Sequence, residues 1–123
     1  MATKPKIKEI QKKTVSLFFE PLVLQFNKRI DLTPDKKYAY LVEVYGEWHG
    51  NHYCFCEKYK DESGNRPSDE FVRKFLRIEF ISPNNVSLSY IRHTGQWHPV
   101  VKNITLQTCL EMINENPTFH PLY

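Results

Sequence analysis

The spacing of apolar side chains changes twice along this chain, and these two changes constrain its fold more than any other feature. Before residue 37, apolar residues recur near the 3.6-residue period of a helix. From Tyr38 the period becomes two, which places alternate side chains on opposite faces of a strand, and from Thr105 it becomes helical again. The sequence therefore predicts an α+β fold, with an antiparallel sheet of about four to five strands and an N-terminal and a C-terminal helix.

The N-terminal segment is predicted to be an amphipathic helix with Thr3 as its N-cap. Pro21 lacks a backbone N–H and cannot continue such a helix unbent. Beyond it, residues 22–27 fit either a short strand or a second helical piece, and the pattern does not separate these two alternatives. The residues predicted to form the apolar face of the helix are Ile7, Ile10, Leu17 and Phe18.

Two segments after residue 37 are predicted to pair as an antiparallel hairpin, with a turn over residues 46–51. The first strand has one predicted face with Tyr38, Tyr40, Val42 and Val44, and another with Ala39, Leu41, Glu43 and Tyr45. In the second strand, the residues predicted to share a face are Tyr53, Phe55, Glu57 and Tyr59.

The second half of the chain is predicted to contain further strands and the last helix. An exposed loop covers residues 60–69, a short helical turn follows over residues 69–74, and a later turn lies at residues 82–85. The two strands around that turn have apolar faces formed by Leu76, Ile78 and Phe80, and by Val86, Leu88 and Tyr90. The last helix is capped by Thr105, ends at Pro117 and has an apolar face of Leu106, Cys109, Leu110 and Ile113.

Composition places the chain among ordinary folded proteins. Its 123 residues are 41% hydrophobic and 25% charged, which predicts one domain over residues 1–123. The first residues, MATKPKIKEI, contain no apolar leader, and no apolar run reaches membrane-spanning length. We therefore expect a cytoplasmic protein with no membrane partner, in which the three cysteines are reduced thiols.

The tetrapeptides GEWH at 46–49 and GQWH at 95–98 are nearly identical, but the residues around them differ. The two tetrapeptides are explained better by two strand ends that favour the same residue types than by an internal duplication. Because neighbouring residues on a strand point to opposite faces, Trp97 is predicted to face the core as scaffold and His98 to face outward. The candidate binding residues are Trp48, His49, Arg92 and His98.

A metal site is the sharpest chemical alternative, since His49, His52, Cys54 and Cys56 lie within eight residues and are ligands that zinc accepts. The two cysteines, however, lie ~6.5–7 Å apart on one face of a regular strand, whereas two thiolates on one tetrahedral zinc ion are ~3.8 Å apart. The two cysteines are explained better as buried thiols than as zinc ligands. The chain also lacks a nucleophile elbow and a glycine-rich phosphate loop. We therefore predict no metal, no cofactor and no catalytic residue, and enzymatic activity is not favoured.

The segment LSYIRHTGQWHPV at 88–100, followed by TLQTCLEMINENP at 105–117, resembles the C-terminal half of an uncharacterised family of small bacterial domains. The matching residues are Tyr90, Ile91, Arg92, Trp97, His98, Thr105, Leu106, Leu110, Ile113 and Pro117. The resemblance implies a strand that leads to a Trp-His pair and then to a Thr-Leu helix. Because that family has no established activity, the resemblance supports a fold and does not indicate a function.

The leading interpretation of function is a non-catalytic domain that binds through its surface, and a second copy of the chain is one partner that fits. The alternative is a nucleic-acid-binding protein that uses Arg73, Lys74, Arg77 and Arg92 with aromatic residues on an open sheet face. It is not favoured, because the net charge is only +3 and glutamates alternate along the same strands. A zinc-binding protein is less favoured still.

Overall fold

The structure, a computed structural model, describes residues 7–122 and confirms the predicted α+β fold. Five strands form one sheet in the order β1-β2-β3-β4-β5, and each strand is antiparallel to its neighbours. The elements are α1 (Glu9–Lys28), β1 (Tyr40–His49), β2 (His52–Lys60), β3 (Glu70–Ser82), β4 (Asn85–Ile91), β5 (Trp97–Ile104) and α2 (Leu106–Glu115), followed by a 3₁₀ turn at Pro117–Phe119.

Both helices cover the same face of the sheet. Helix α1 packs on β1, and α2 packs on β4 and against α1. The core between the helices and the sheet is rich in aromatic rings, which include Phe19, Phe26 and Phe55. Within residues 7–122 the opposite face carries no helix, and we call it the open face; its side chains include Tyr45, Glu47, His49, Cys54, Cys56, Lys74, Arg77 and Trp97.

The apolar face predicted for the N-terminal helix is partly buried. Ile7, just before α1, is buried and Phe18 is half-buried against the core, whereas Ile10 and Leu17 are exposed. The buried residues of the helix are Val15, Phe19, Leu22 and Phe26. The helix has two apolar stripes on opposite sides, and the bulkier aromatic one packs on the sheet, with the Phe19 and Phe55 ring centroids 5.8 Å apart. The predicted N-cap, Thr3, lies outside the described residues.

Helix α1 continues through Pro21, so residues 22–27 are helical and the strand alternative for them is wrong. Proline removes one helical hydrogen bond and costs about 3 kcal/mol in a helix interior. The buried side chains of Leu22 and Phe26 on the following turns offset this cost, because they continue the packing of α1 against the core. Pro21 itself is exposed.

Irregular pairing in β1 overturns its predicted faces. The register shifts between Leu41 and Glu43, and this bulge places Leu41 and Val44 together in the core. Asn27 of α1 secures the position, because its side chain accepts a hydrogen bond from the Val44 N–H and donates one to the Val44 carbonyl, both at 2.8 Å. An amide from the helix thus satisfies backbone groups of an edge strand.

Two predicted local structures are absent because strands extend through them. Strand β1 continues to His49, so the turn consists of Gly50 and Asn51 rather than residues 46–51, and Gly50 has a φ of 57°. The helical turn predicted over residues 69–74 is instead the start of β3, where Phe71 stacks on Tyr59 with centroids 5.1 Å apart.

Strands β3 and β4 and the last helix agree with the prediction. The side chains predicted to share faces in β3 and β4 are buried, except Tyr90, which is half-buried against the core, and Cys109 and Ile113 of α2 are buried as well. Thr105 caps α2, since its hydroxyl oxygen accepts a hydrogen bond from the Thr108 N–H at 3.1 Å. Within residues 7–122, no helix is long and apolar enough to cross a membrane.

Candidate binding site

The first Trp-His pair is split between the two faces of the sheet. Trp48 lies on the helix-covered face, where its indole N–H donates to the Ser16 hydroxyl at 2.9 Å and its ring contacts Tyr53 at a centroid distance of 5.3 Å. His49 lies on the open face, with its Nε2 3.2 Å from a Glu47 carboxylate oxygen. Trp48 therefore joins α1 to β1 as scaffold, and only His49 lines a groove.

The second pair is split in the opposite sense. Trp97 lies on the open face under the guanidinium of Arg77, whose Cζ is 4.5 Å from the ring centroid. His98 points to the helix-covered side and packs edge-on against Tyr90, with centroids 5.4 Å apart. The prediction that Trp97 faces the core and His98 faces outward is therefore wrong. The turn that ends at Gly95, which has a φ of 82°, sets the register of β5, and a shift of one residue exchanges the faces.

Arg92 and His98 are the two predicted site residues that the fold brings together. Arg92 Nη2 donates to His98 Nε2 at 3.3 Å, so His98 is a neutral imidazole with its proton on Nδ1 in this arrangement. Among residues 7–122, no carboxylate forms a salt bridge with Arg92. The positive charge of Arg92 is consequently held by an uncharged partner and remains available to a ligand.

Beside Arg92 lies a concave site of about 450 Å³, which we call the cationic pocket. Its lining comes from β3, the end of β4, the following turn and the C-terminal segment. It combines two arginines and two histidines with apolar and aromatic side chains, and none of its described lining residues is acidic. The lining residues are Arg73, Phe75, Tyr90, Ile91, Arg92, His93, Thr118, His120 and Leu122.

A buried carboxylate, that of Glu57, is not among the lining residues but holds one of them, Arg73, in place. Arg73 donates to Glu57 Oε1 through Nη2 at 2.7 Å and through Nε at 3.0 Å. The other oxygen, Oε2, accepts from the Tyr59 hydroxyl at 2.5 Å and from the Leu122 backbone N–H at 2.8 Å. Glu57 thus fixes the Arg73 side chain and also ties the C-terminal segment to the sheet.

His120, which also lines the pocket, was not among the predicted site residues. Its Nε2 is 2.8 Å from the Ile113 carbonyl, which makes this nitrogen the hydrogen-bond donor. Its Nδ1 is 3.3 Å from Arg29 Nη1, and its ring packs on Phe26 at a centroid distance of 5.2 Å. The end of α2, the end of α1 and the C-terminal segment therefore meet at this imidazole.

The open face carries a second, shallower groove of about 650 Å³. Its sides include Tyr45, His49 and Lys74 near the first strands and Trp97 on β5. The side chains of Cys54 and Cys56 lie on the same face and are buried. Across residues 7–122, no three His, Cys, Asp or Glu side chains are grouped so that they could hold a metal ion.

Burial of the thiols and of Tyr53 predicts a loss of stability in alkali. Burial raises the pKa of Cys109 from 9.0 to about 12 and that of Cys56 to about 11, and it raises the pKa of Tyr53 from 10.0 to about 12. The unfolded chain therefore loses these protons at lower pH than the folded chain. The contribution of these three buried groups to the free energy of unfolding is complete below pH 9 and falls as the pH rises from about 9 towards 12.

We expect urea midpoints to be constant with pH up to about 8.5 and to fall steeply above pH 9. Cys109→Ala removes one of these titrating groups and should make the fall less steep, although it lowers stability at neutral pH. A midpoint that stays constant from pH 7 to pH 11 would contradict the buried placement of these groups.

The fold and the cationic pocket together define a class of small α+β domain, in which two helices cover one face of a five-stranded antiparallel sheet and a basic concavity opens beside the C-terminal segment. The chain belongs to the family described as Domain of unknown function (DUF3024), whose model matches residues 3–121. This finding confirms the resemblance to an uncharacterised domain family and extends it from residues 88–117 to almost the whole chain. No curated protein and no solved structure matches the chain.

Proposed function

We propose that the domain is a binding module for a small anionic ligand and that the cationic pocket is its binding site. The observation that carries the proposal is the composition of the pocket, in which Arg73, Arg92, His93 and His120 converge without an acidic residue among the described lining. Guanidinium groups bind carboxylates and phosphates through charge-assisted hydrogen bonds. The volume of about 450 Å³ lies within the range of small-molecule sites.

The two arginines differ in what they can offer a ligand. Arg73 already donates to the buried Glu57, so its charge is compensated and its side chain serves as a rigid wall. Arg92 is exposed, and within residues 7–122 the one hydrogen-bond partner of its side chain is the neutral His98. We therefore assign the principal contact with the anion to Arg92, and we assign to His98 the orientation of that guanidinium.

The apolar part of the lining indicates that the ligand is more than a bare anion. Phe75 is buried, and Tyr90 and Ile91, which also line the pocket, are half-buried. Tyr90 is held in place between His98 and Phe119, with ring centroid distances of 5.4 Å and 5.6 Å. A phosphate or carboxylate attached to an aromatic or aliphatic group would pair with Arg92 and cover these side chains.

Equilibrium binding of phenyl phosphate, benzoate and phenol, followed by calorimetry, tests this function. We expect the two anions to bind and the neutral phenol not to bind, and the stronger anion identifies the headgroup that the site prefers. Arg92→Gln should weaken binding of that anion about tenfold or more, as expected for loss of a charge-assisted contact. Arg77→Gln, on the open face, is the matched control and should leave binding unchanged. Equal binding by the wild type and Arg92→Gln would contradict the proposal.

A nucleic-acid-binding function is the second candidate, and the open face is the observation that favours it. Trp97, Tyr45 and Lys74 line one groove, and Arg77 lies over Trp97. Aromatic side chains stack on the bases of single-stranded nucleic acid, and cationic side chains neutralise its phosphates. The acidic Glu47 also lines the groove. A labelled single-stranded oligonucleotide, titrated at two salt concentrations, should bind more weakly at the higher salt and lose affinity in Trp97→Ala. Absence of binding at low salt would exclude this candidate.

A further inference from the structure

The outer side of α1 carries three large aliphatic side chains in a row. Ile10, Leu17 and Leu24 are 72%, 57% and 54% exposed, and they follow one another at intervals of seven residues. We call them the outer stripe. A seven-residue interval returns to nearly the same side of a helix, so the stripe is continuous over about 21 Å of helix length. It lies opposite the buried side chains of α1, which are Val15, Phe19, Leu22 and Phe26.

This arrangement differs from that of an ordinary surface helix, in which the side opposite the core is polar. The exposure of the three residues shows that no part of the chain within residues 7–122 covers them. The seam along which two helices pair has apolar residues at two positions of each heptad, and the outer stripe supplies one of these two positions. The outer stripe is therefore suited to contact another helix of the same kind.

We propose that a second copy of this chain covers the outer stripe and that the two α1 helices pair in antiparallel orientation. When the two-fold axis passes between the Leu17 residues of the two copies, Ile10 of each copy lies opposite the partner's Leu24. Each apolar residue of the stripe then has an apolar counterpart. The contact is isologous and closes as a dimer.

The charges beside the stripe support the antiparallel orientation. Lys13 and Glu20 lie on the same flank, because they too are seven residues apart, and both are exposed. In the antiparallel pair, Lys13 lies opposite the partner's Glu20, and Glu20 lies opposite the partner's Lys13. In a parallel pair, these two residues would face the partner's Phe18 and Gln25 and would form no ion pair. Charge complementarity thus selects a second copy in one orientation.

The interface is small, which sets the expected strength of association. Two helices of this length bury roughly 1,000 Å² in total, which is below the range of about 1,200–2,000 Å² for stable interfaces and is typical of weak or transient ones. The dimer is therefore expected to have a dissociation constant in the micromolar range or higher and to dissociate on dilution below it. It should form independently of the cationic pocket, whose lining includes no residue of α1.

Sedimentation equilibrium of the full chain over a concentration series tests the proposal. The wild type should show a monomer–dimer equilibrium, and Leu17→Glu, which places two carboxylates together at the two-fold axis, should be monomeric. Leu32→Glu is the matched control, because Leu32 is 92% exposed outside α1 and should leave the dimer unchanged. Circular dichroism should show that both variants retain the fold, since neither residue is buried.

A charge exchange tests the orientation. Lys13→Glu and Glu20→Lys should each weaken the dimer at low salt, and the double variant should restore it, because the pairing of opposite charges is re-formed. A wild type that is monomeric up to about 1 mM would overturn the proposal. A dimer that survives Leu17→Glu would also overturn it, and a double variant no better than the single ones would overturn the antiparallel register.

Discussion

Glu57→Ala is expected to lower the free energy of unfolding by about 3–4 kcal/mol, because it removes the acceptor that four hydrogen bonds share. Arg73 loses both of its contacts, and the Tyr59 hydroxyl and the Leu122 N–H lose theirs. Arg73 is partly exposed and regains some hydration, which keeps the expected loss towards the lower end of the range for broken buried ion pairs.

Urea denaturation of Glu57→Ala, Glu57→Gln and Glu115→Ala measures this effect. Glutamine keeps the shape of the glutamate side chain, but its amide N–H₂ must face a hydrogen-bond donor on one side or the other. We therefore expect Glu57→Gln to lower the free energy of unfolding by an intermediate amount. Glu115 is exposed at the end of α2 and serves as the control, with a change within about 0.5 kcal/mol. A loss in Glu57→Ala no larger than that of the control would show that Glu57 does not hold the C-terminal segment.

Gly46→Ala is expected to cost about 3 kcal/mol, because the position has no room for a methyl group. A Cβ atom there would lie 1.8 Å from the Tyr53 hydroxyl oxygen and 2.1 Å from Cζ of the same ring. The ring is held between Phe19, at a centroid distance of 6.0 Å, and Trp48, at 5.3 Å. The Tyr53 ring must therefore leave its place in the core.

A double-mutant cycle separates this clash from other effects of the substitution. In a Tyr53→Leu background the ring is absent, so Gly46→Ala should cost less than about 1 kcal/mol. The difference between the two backgrounds is the coupling between Gly46 and Tyr53. Equal costs in the two backgrounds would contradict the close approach of the ring to the strand.

The periodicity of apolar side chains predicted the elements that pair regularly. Leu76, Ile78 and Phe80 share a face because no bulge interrupts that part of β3, and the cap and apolar face of α2 lie within one short segment. The same periodicity gave wrong strand faces where the register shifts, as between Leu41 and Glu43, because one extra residue reverses the faces of a strand. In α1, two apolar stripes have the same period, so spacing alone does not decide which one is buried.

The candidate binding site was predictable only in its local part. Arg92 and His98 flank the tight turn between β4 and β5, so their proximity is a local property of one hairpin. Arg73 and His120 join them through the tertiary fold, which a single sequence does not specify. Glu57 gave a usable signal, since it is a charged residue on a predicted strand face shared with three aromatic residues, and a buried carboxylate requires cationic or N–H partners.

The most direct test of the proposed function is a two-dimensional ¹H–¹⁵N NMR titration of the full chain with phenyl phosphate. The amide signals of Arg73, Arg92, His93 and His120 should shift together along one binding curve, while those of His49 and Trp97 on the open face remain in place. Shifts centred on His49 and Trp97, or no shifts at millimolar phenyl phosphate, would contradict the assignment of the cationic pocket as an anion-binding site.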